Sequence, residues 1–248
     1  MTSTTASEAA RTGERPRMEV DIWSDVVCPW CYIGKRRFER AIGAVADEID
    51  VVVRYRPYQL DPTAPPGTSQ PVIDAYAKKF GGRDQAEAII RRVTATAAED
   101  GLGFRMDIAV RANTLLAHRL LWWAEQPDTA IGRAGVDQVS VKERLLSAYF
   151  VEGRDIGDPD TLADLVAGLG VDRTAVADFL DGDVGLEAVR SDIAEATDLG
   201  ISAVPTFVVA GQWAIPGAQD TDTFVNVLRR LVERVRPAAA CGDDSCDV

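Results

Sequence analysis

The feature that most narrows the folds open to this chain is Cys28-Pro29-Trp30-Cys31, placed where a strand pattern gives way to a helical one. In MEVDIW, Val20 and Ile22 alternate with acidic residues before the run reaches SDVVCPWC, which predicts a strand ending at a loop. From Pro29 to Ile49 the period changes: Ile33, Phe38, Ile42, Val45 and Ala46 form an apolar stripe beside Lys35, Arg36, Arg37 and Arg40, which predicts a helix. Pro29 suits the first turn, where its missing N–H removes no bond. VVVRYRPYQL, rich in β-branched and aromatic residues, then predicts a second strand closed near Pro57, so the opening is β-α-β.

At such a junction Cys28 lies over the free amides of the helix N-terminus. Those amides and the helix dipole favour a thiolate, so Cys28 is expected to have a lowered pKa and to be the attacking sulfur. Cys31, one turn further in and expected to be the more buried, would resolve the mixed disulfide. A Cys-x-x-Cys pair is also half of a zinc knuckle, or an inert core element. A tetrahedral site needs two more ligands, however, and the other cysteines, Cys241 and Cys246, stand in the far tail while the lone histidine, His118, is mid-chain. No metal is expected, and a Ser-His-Asp or Cys-His catalytic set would have to use that one ring.

Composition removes further classes. With 39 acidic against 27 basic side chains the net charge is −12, which repels nucleic acid at long range, and no basic stripe compensates. MTSTTASEAARTGERPR carries both charge signs and no apolar core of a secretory signal, so residues 1–17 are expected to be a disordered leader. No apolar run approaches the roughly 18 residues that cross a bilayer. A cytoplasmic protein with no membrane partner is expected, in which cysteine pairs serve redox or metal chemistry rather than structural stapling.

After the proline-rich DPTAPPGTSQP the punctuation is helical. Helices are predicted at Val72 to Lys79, at Gln85 to Gly101, from an Asn113 cap through Leu116, Leu120 and Trp123, and at Val139 to Phe150. Asp158-Pro159 begins another, two short ones are bounded by Gly168, Asp172 and Gly182, and Leu186 to Leu199 ends at Gly200. TFVVAGQWAIPG predicts a hairpin turning at Ala210-Gly211. Asp220 then caps a helix carrying Phe224, Leu228, Leu231 and Val235 and stopped by Pro237.

Together SDVVCPWCYIGKRRFE, VVVRYRPYQLDP, NTLLAHRL, AYFVEGRDIGD and GISAVPTFVVAGQWAIPGAQ resemble the FrnE-type branch of the DsbA family, over roughly Glu19 to Val235. The resemblance implies an α/β thioredoxin-like fold with a helical insertion: residues 18–62 and 185–236 as the thioredoxin-like part, 63–184 as the insertion and 237–248 as an acidic tail. It implies a thiol-disulfide oxidoreductase or disulfide isomerase acting on protein or small-thiol substrates, unfolded proteins among them. Cys28 and Cys31 would be its active dithiol, Val204-Pro205 its cis-proline loop, and Pro29, Trp30, Val204 and Pro205 its substrate contacts. Because Trp30 offers no charge where DsbA-type oxidants often carry histidine, the couple should be less oxidising than DsbA, within roughly −270 to −120 mV. Two readings from other classes stay open. One is a kappa-class glutathione transferase or 2-hydroxychromene-2-carboxylate isomerase, with glutathione as co-substrate and commonly serine at the position of Cys28. The other is a redox-responsive holdase.

Three auxiliary positions complete the reading. Asp25 is a candidate proton acceptor for Cys31, or simply a hydrogen-bonded acid at a strand end. Cys241 and Cys246 are candidates for a tethered second dithiol, with a metal-binding or disordered tail as the alternative. His118 and Asn113 are expected to be structural, the second as a helix cap.

Overall fold

The computed structural model describes residues 15–65, 67 and 70–235. The predicted leader falls almost wholly, and Cys241 and Cys246 fall entirely, outside these residues. The opening is strand β1 (Arg17–Ser24), helix α1 (Pro29–Val45) and strand β2 (Asp50–Pro57). Helix α1 is four residues shorter than its apolar pattern suggests. Ile49 is buried not on the helix stripe but in the turn into β2, where its N–H bonds the Val45 carbonyl.

Helices of the described chain then follow: α2 (Val72–Phe80), α3 (Arg83–Glu99), α4 (Leu115–Glu125), α5 (Ala130–Arg133), α6 (Gln138–Phe150), α7 (Pro159–Ala167) and α8 (Arg173–Asp181). Helix α9 (Leu186–Asp198), strands β3 (Thr206–Val209) and β4 (Trp213–Pro216) and helix α10 (Thr221–Val235) complete the order. The short α5, started by the Thr129 side chain accepting from Gly132 N–H, carries too little periodicity to be foreseen. At Asn113 the side-chain oxygen accepts from Leu115 N–H, as a cap would, although the helix itself begins after Thr114.

The sheet runs β2-β1-β3-β4, with β1 parallel to β2 and the other neighbours antiparallel. Along β1, Met18, Val20 and Ile22 enter one face together. There Phe38 of α1 meets Phe207 and Phe224 at ring separations of 4.9 and 5.0 Å. Trp23 faces the other way, beneath Arg56, which is paired with Asp192 and Glu195 of α9. The outer edge of β2 is closed by the Gln138 side chain of α6, which accepts from Tyr55 N–H at 2.7 Å and donates to Tyr55 C=O at 3.0 Å. A buried edge would otherwise leave both groups unsatisfied. A separate core lies among the inserted helices and takes in Val26 from the turn before α1 and Tyr32 and Ile33 from the helix start. No helix of the described residues is long and apolar enough to cross a membrane.

Candidate active site

Strand β1 delivers the chain to a turn in which Cys28 N–H bonds the Asp25 carbonyl, and Cys28 becomes the N-cap of α1 with Pro29 in the first turn. Opposite stands the loop before β3, with the Val204-Pro205 peptide bond cis. Gly34 leaves room for this approach: a Cβ there would lie 3.1 Å from Pro205 Cγ, a tight contact. The single S–H of Cys28 faces two acceptors, the Val204 carbonyl oxygen at 3.6 Å and the Cys31 sulfur. Pro29, Trp30, Val204 and Pro205 are thus brought around one thiol.

Burial does not separate the two cysteines, 3% and 2% exposed, so the expected deeper burial of Cys31 is absent. Access does separate them. Cys28, but not Cys31, lines a cleft of about 670 Å³ together with Trp30, Tyr76, Phe80 and Val204, with Lys78 and Lys79 beside them. Trp30 is 38% exposed there, a large apolar surface open to a partner. A second depression of about 510 Å³ touches neither cysteine; its Lys35, Arg36, Glu39 and Glu143 are already paired with one another.

The expected lowering of the Cys28 pKa is reversed in this geometry. The hydrogen bond Cys28 gives to Cys31, and then burial, hold its thiol well above the ordinary range. Burial alone would push Cys31 up as well, but the Cys28 S–H, the Lys142 ammonium, the Ser24 hydroxyl and the Asp25 backbone N–H together hold it below the ordinary thiol range. The dithiol therefore releases one proton readily and keeps the other.

Asp25 is fully buried beneath the pair. Its Oδ2 accepts from Leu60 N–H at 2.7 Å and its Oδ1 lies 3.2 Å from His118 Nε2. His118 Nε2 is also 3.0 Å from the Tyr58 carbonyl. Since both neighbours accept, this nitrogen carries the hydrogen. His118 is structural in that it is satisfied, yet what it holds is the acid next to the dithiol. Sequence reasoning did not foresee that contact, nor Ser24, nor Lys142. The signal for Lys142 was present: it interrupts a helical stripe of Gln138, Val141, Leu145 and Tyr149, all buried. Among the described residues no group of three or more His, Cys, Asp and Glu side chains could hold a metal ion.

The family model of the DSBA-like thioredoxin domain matches residues 19–229. A probable DsbA oxidoreductase from Streptomyces coelicolor has a similar structure, with 33% identity, a TM-score of 0.77, and 93% of this chain and 99% of that one covered. The uncharacterized protein YwbO of Bacillus subtilis is 28% identical over 84% of this chain and 94% of its own length. The cytosolic disulfide reductase DsbM from Pseudomonas aeruginosa, whose structure is also known with GSH, shares the fold at 20% identity and a TM-score of 0.56, over 87% of this chain and 99% of its own.

Proposed function

The chain belongs to the DSBA-like thioredoxin domain family, and from that premise we propose that it exchanges its Cys28-Cys31 dithiol with disulfides of protein or small-thiol substrates. The observation that carries this reading is the asymmetry of access: Cys28 opens on the cleft while Cys31 stands behind it. The Cys28 thiolate, once its proton passes to Cys31, attacks a substrate disulfide, forms a mixed disulfide and expels one substrate thiolate. Cys31 then gives up its proton to that leaving thiolate and attacks the Cys28 sulfur. The Cys28–Cys31 disulfide forms, the second substrate thiolate departs, and two electrons have passed to the substrate. In the mixed disulfide Cys28 has no S–H, so the Val204 carbonyl is released to accept from a substrate backbone amide.

Pro29, Trp30 and Pro205 shape the site, and the apolar wall of Trp30, Tyr76 and Phe80 suits exposed apolar segments of unfolded proteins. Lys78 and Lys79 favour a second reading of the same site, glutathione as co-substrate, since that tripeptide is anionic and DsbM has been solved with it. Cysteine at both motif positions weighs against a purely glutathione-activating transferase. The reading places the protein in the FrnE-type branch and in the cytoplasm, with Asp25 and the Cys241/Cys246 pair as auxiliary groups.

Insulin reduction and exchange with oxidised glutathione test it. Cys28→Ser should lower turnover by about a hundredfold or more, because it removes the attacking atom. Cys31→Ser should accumulate mixed disulfides. Wild-type turnover in Cys28→Ser would overturn the assignment.

A further inference from the structure

Lys142 is the one fully buried lysine of the described residues whose ammonium has no hydrogen-bond partner among them. The other deeply placed cations are satisfied: Lys35 pairs with Glu39 and Glu143, and Arg119 donates to the carbonyls of Phe179, Leu180, Gly182 and Val184. Lys142 Nζ rests instead 5.3 Å from the centre of the Tyr55 ring. A buried charge with no partner is costly and is retained where something else needs it.

What faces it is the redox centre. Cys31, Cys28 and Lys35 of α1 and Asp25 of the preceding turn are its electrostatic neighbours, with Tyr55 of β2 beneath. Asp25 is itself held by His118 of α4. On its own helix, Glu143 is engaged by Tyr32, Lys35 and Arg36. Ser24, also buried, lies beside Cys31.

We propose that Lys142 is the built-in counter-charge of the dithiol, a positioning residue through which the helical insertion, and not the CPWC motif alone, sets the redox poise. This rests on the oxidoreductase reading. In the reduced protein one sulfur is a thiolate and the other a thiol; reaction with RS–SR′ leaves the Cys28–Cys31 disulfide plus RS⁻ and R′SH. Oxidation thus removes the negative charge that the ammonium offsets, and Lys142 favours the reduced form. Burial pulls the Lys142 pKa down to about 8, against the attraction of Cys31, so the ammonium is present at neutral pH and fades above it. Its help to the thiolate is greatest below that value.

The test uses the full chain with Lys142→Met and Lys142→Gln. The ultraviolet absorbance of the thiolate is followed against pH, and the dithiol is equilibrated with glutathione buffers at neutral pH. Both variants should titrate about one pH unit higher, and the equilibrium should shift roughly tenfold toward the disulfide, about 30 mV more reducing. A purely structural lysine would change stability and leave both readings at wild-type values. That result in either folded variant overturns the proposal. Should Lys142→Met fail to fold, Lys142→Gln, which keeps a polar end group without the charge, carries the same readings. A shifted titration in a protein that exchanges with neither insulin nor glutathione would uphold the lysine-thiolate coupling and sink the oxidoreductase reading.

Discussion

The sheet layer and the inserted helices bury separate cores, and α1 belongs to both. Its later residues, Phe38, Ala41 and Val45, are buried with the strands and α10, while Tyr32 and Ile33 near its start are buried with the insertion. The sheet layer is tied by aromatic rings meeting across strands and helices, as at Phe38, Phe207 and Phe224. In the insertion several helices are opened by an aspartate accepting from free amides: Asp137 on α6, Asp158 on α7 and Asp172 on α8. Between them Glu143 of α6 accepts from Tyr32, Lys35 and Arg36 of α1. The dithiol lies at this seam. Its sulfurs therefore stand at the start of α1, and the buried charge beside them comes from α6 of the insertion.

The sharpest way to break that division is Phe38→Ala, which empties the centre of the sheet core and should cost about 3–5 kcal/mol in denaturant unfolding. Amide exchange should quicken first in β1 and β3; equal quickening in α7 and α8 would mean the layers unfold as one unit. The seam comes next. Glu143→Gln should cost about 2 kcal/mol, since Lys35, buried, would keep only Glu39 as an anionic partner. Burial would push the Glu143 carboxyl up, but the hydrogen bond and charge of Lys35, then Tyr32 and Arg36, hold it below the usual carboxylate range. In the unfolded chain it titrates near its ordinary value of about 4.3, so its contribution is complete above that pH and is lost as pH falls through the lower folded value. The difference between wild type and Glu143→Gln should therefore shrink in acid, and a difference unchanged down to acid pH would refute the ion-pair account. The smallest effect is local to the insertion: Asp158→Ala, which removes the bond to Thr161 N–H, should cost about 1 kcal/mol. An unchanged midpoint would show that Pro159 alone starts that helix.

Local signals carried much of this molecule. Cys28-Pro29 announced the helix start, Asp158-Pro159 and Asp220 were caps, and Gly200 ends α9 with a positive φ of 70°. These were legible because each depends on neighbours within about one turn. The site was legible where chemistry is written in adjacent residues, as in Cys28 and Cys31. It was not legible where groups distant along the chain meet. Nothing local reveals that His118 would hold Asp25, 93 positions earlier, or that the proton order of the two thiols would be reversed.

The sequence by itself determined a strand-turn-helix bearing a dithiol, an acidic chain, and an α/β frame interrupted by helices, because period, capping and net charge are properties of the chain. Only the tertiary structure decided that Cys28 opens to a cleft, that Pro205 lies against Gly34, and that Lys142 and Cys31 are both buried. Access and electrostatics depend on what is packed around a group and how much water is excluded, and those are properties of the assembled layers.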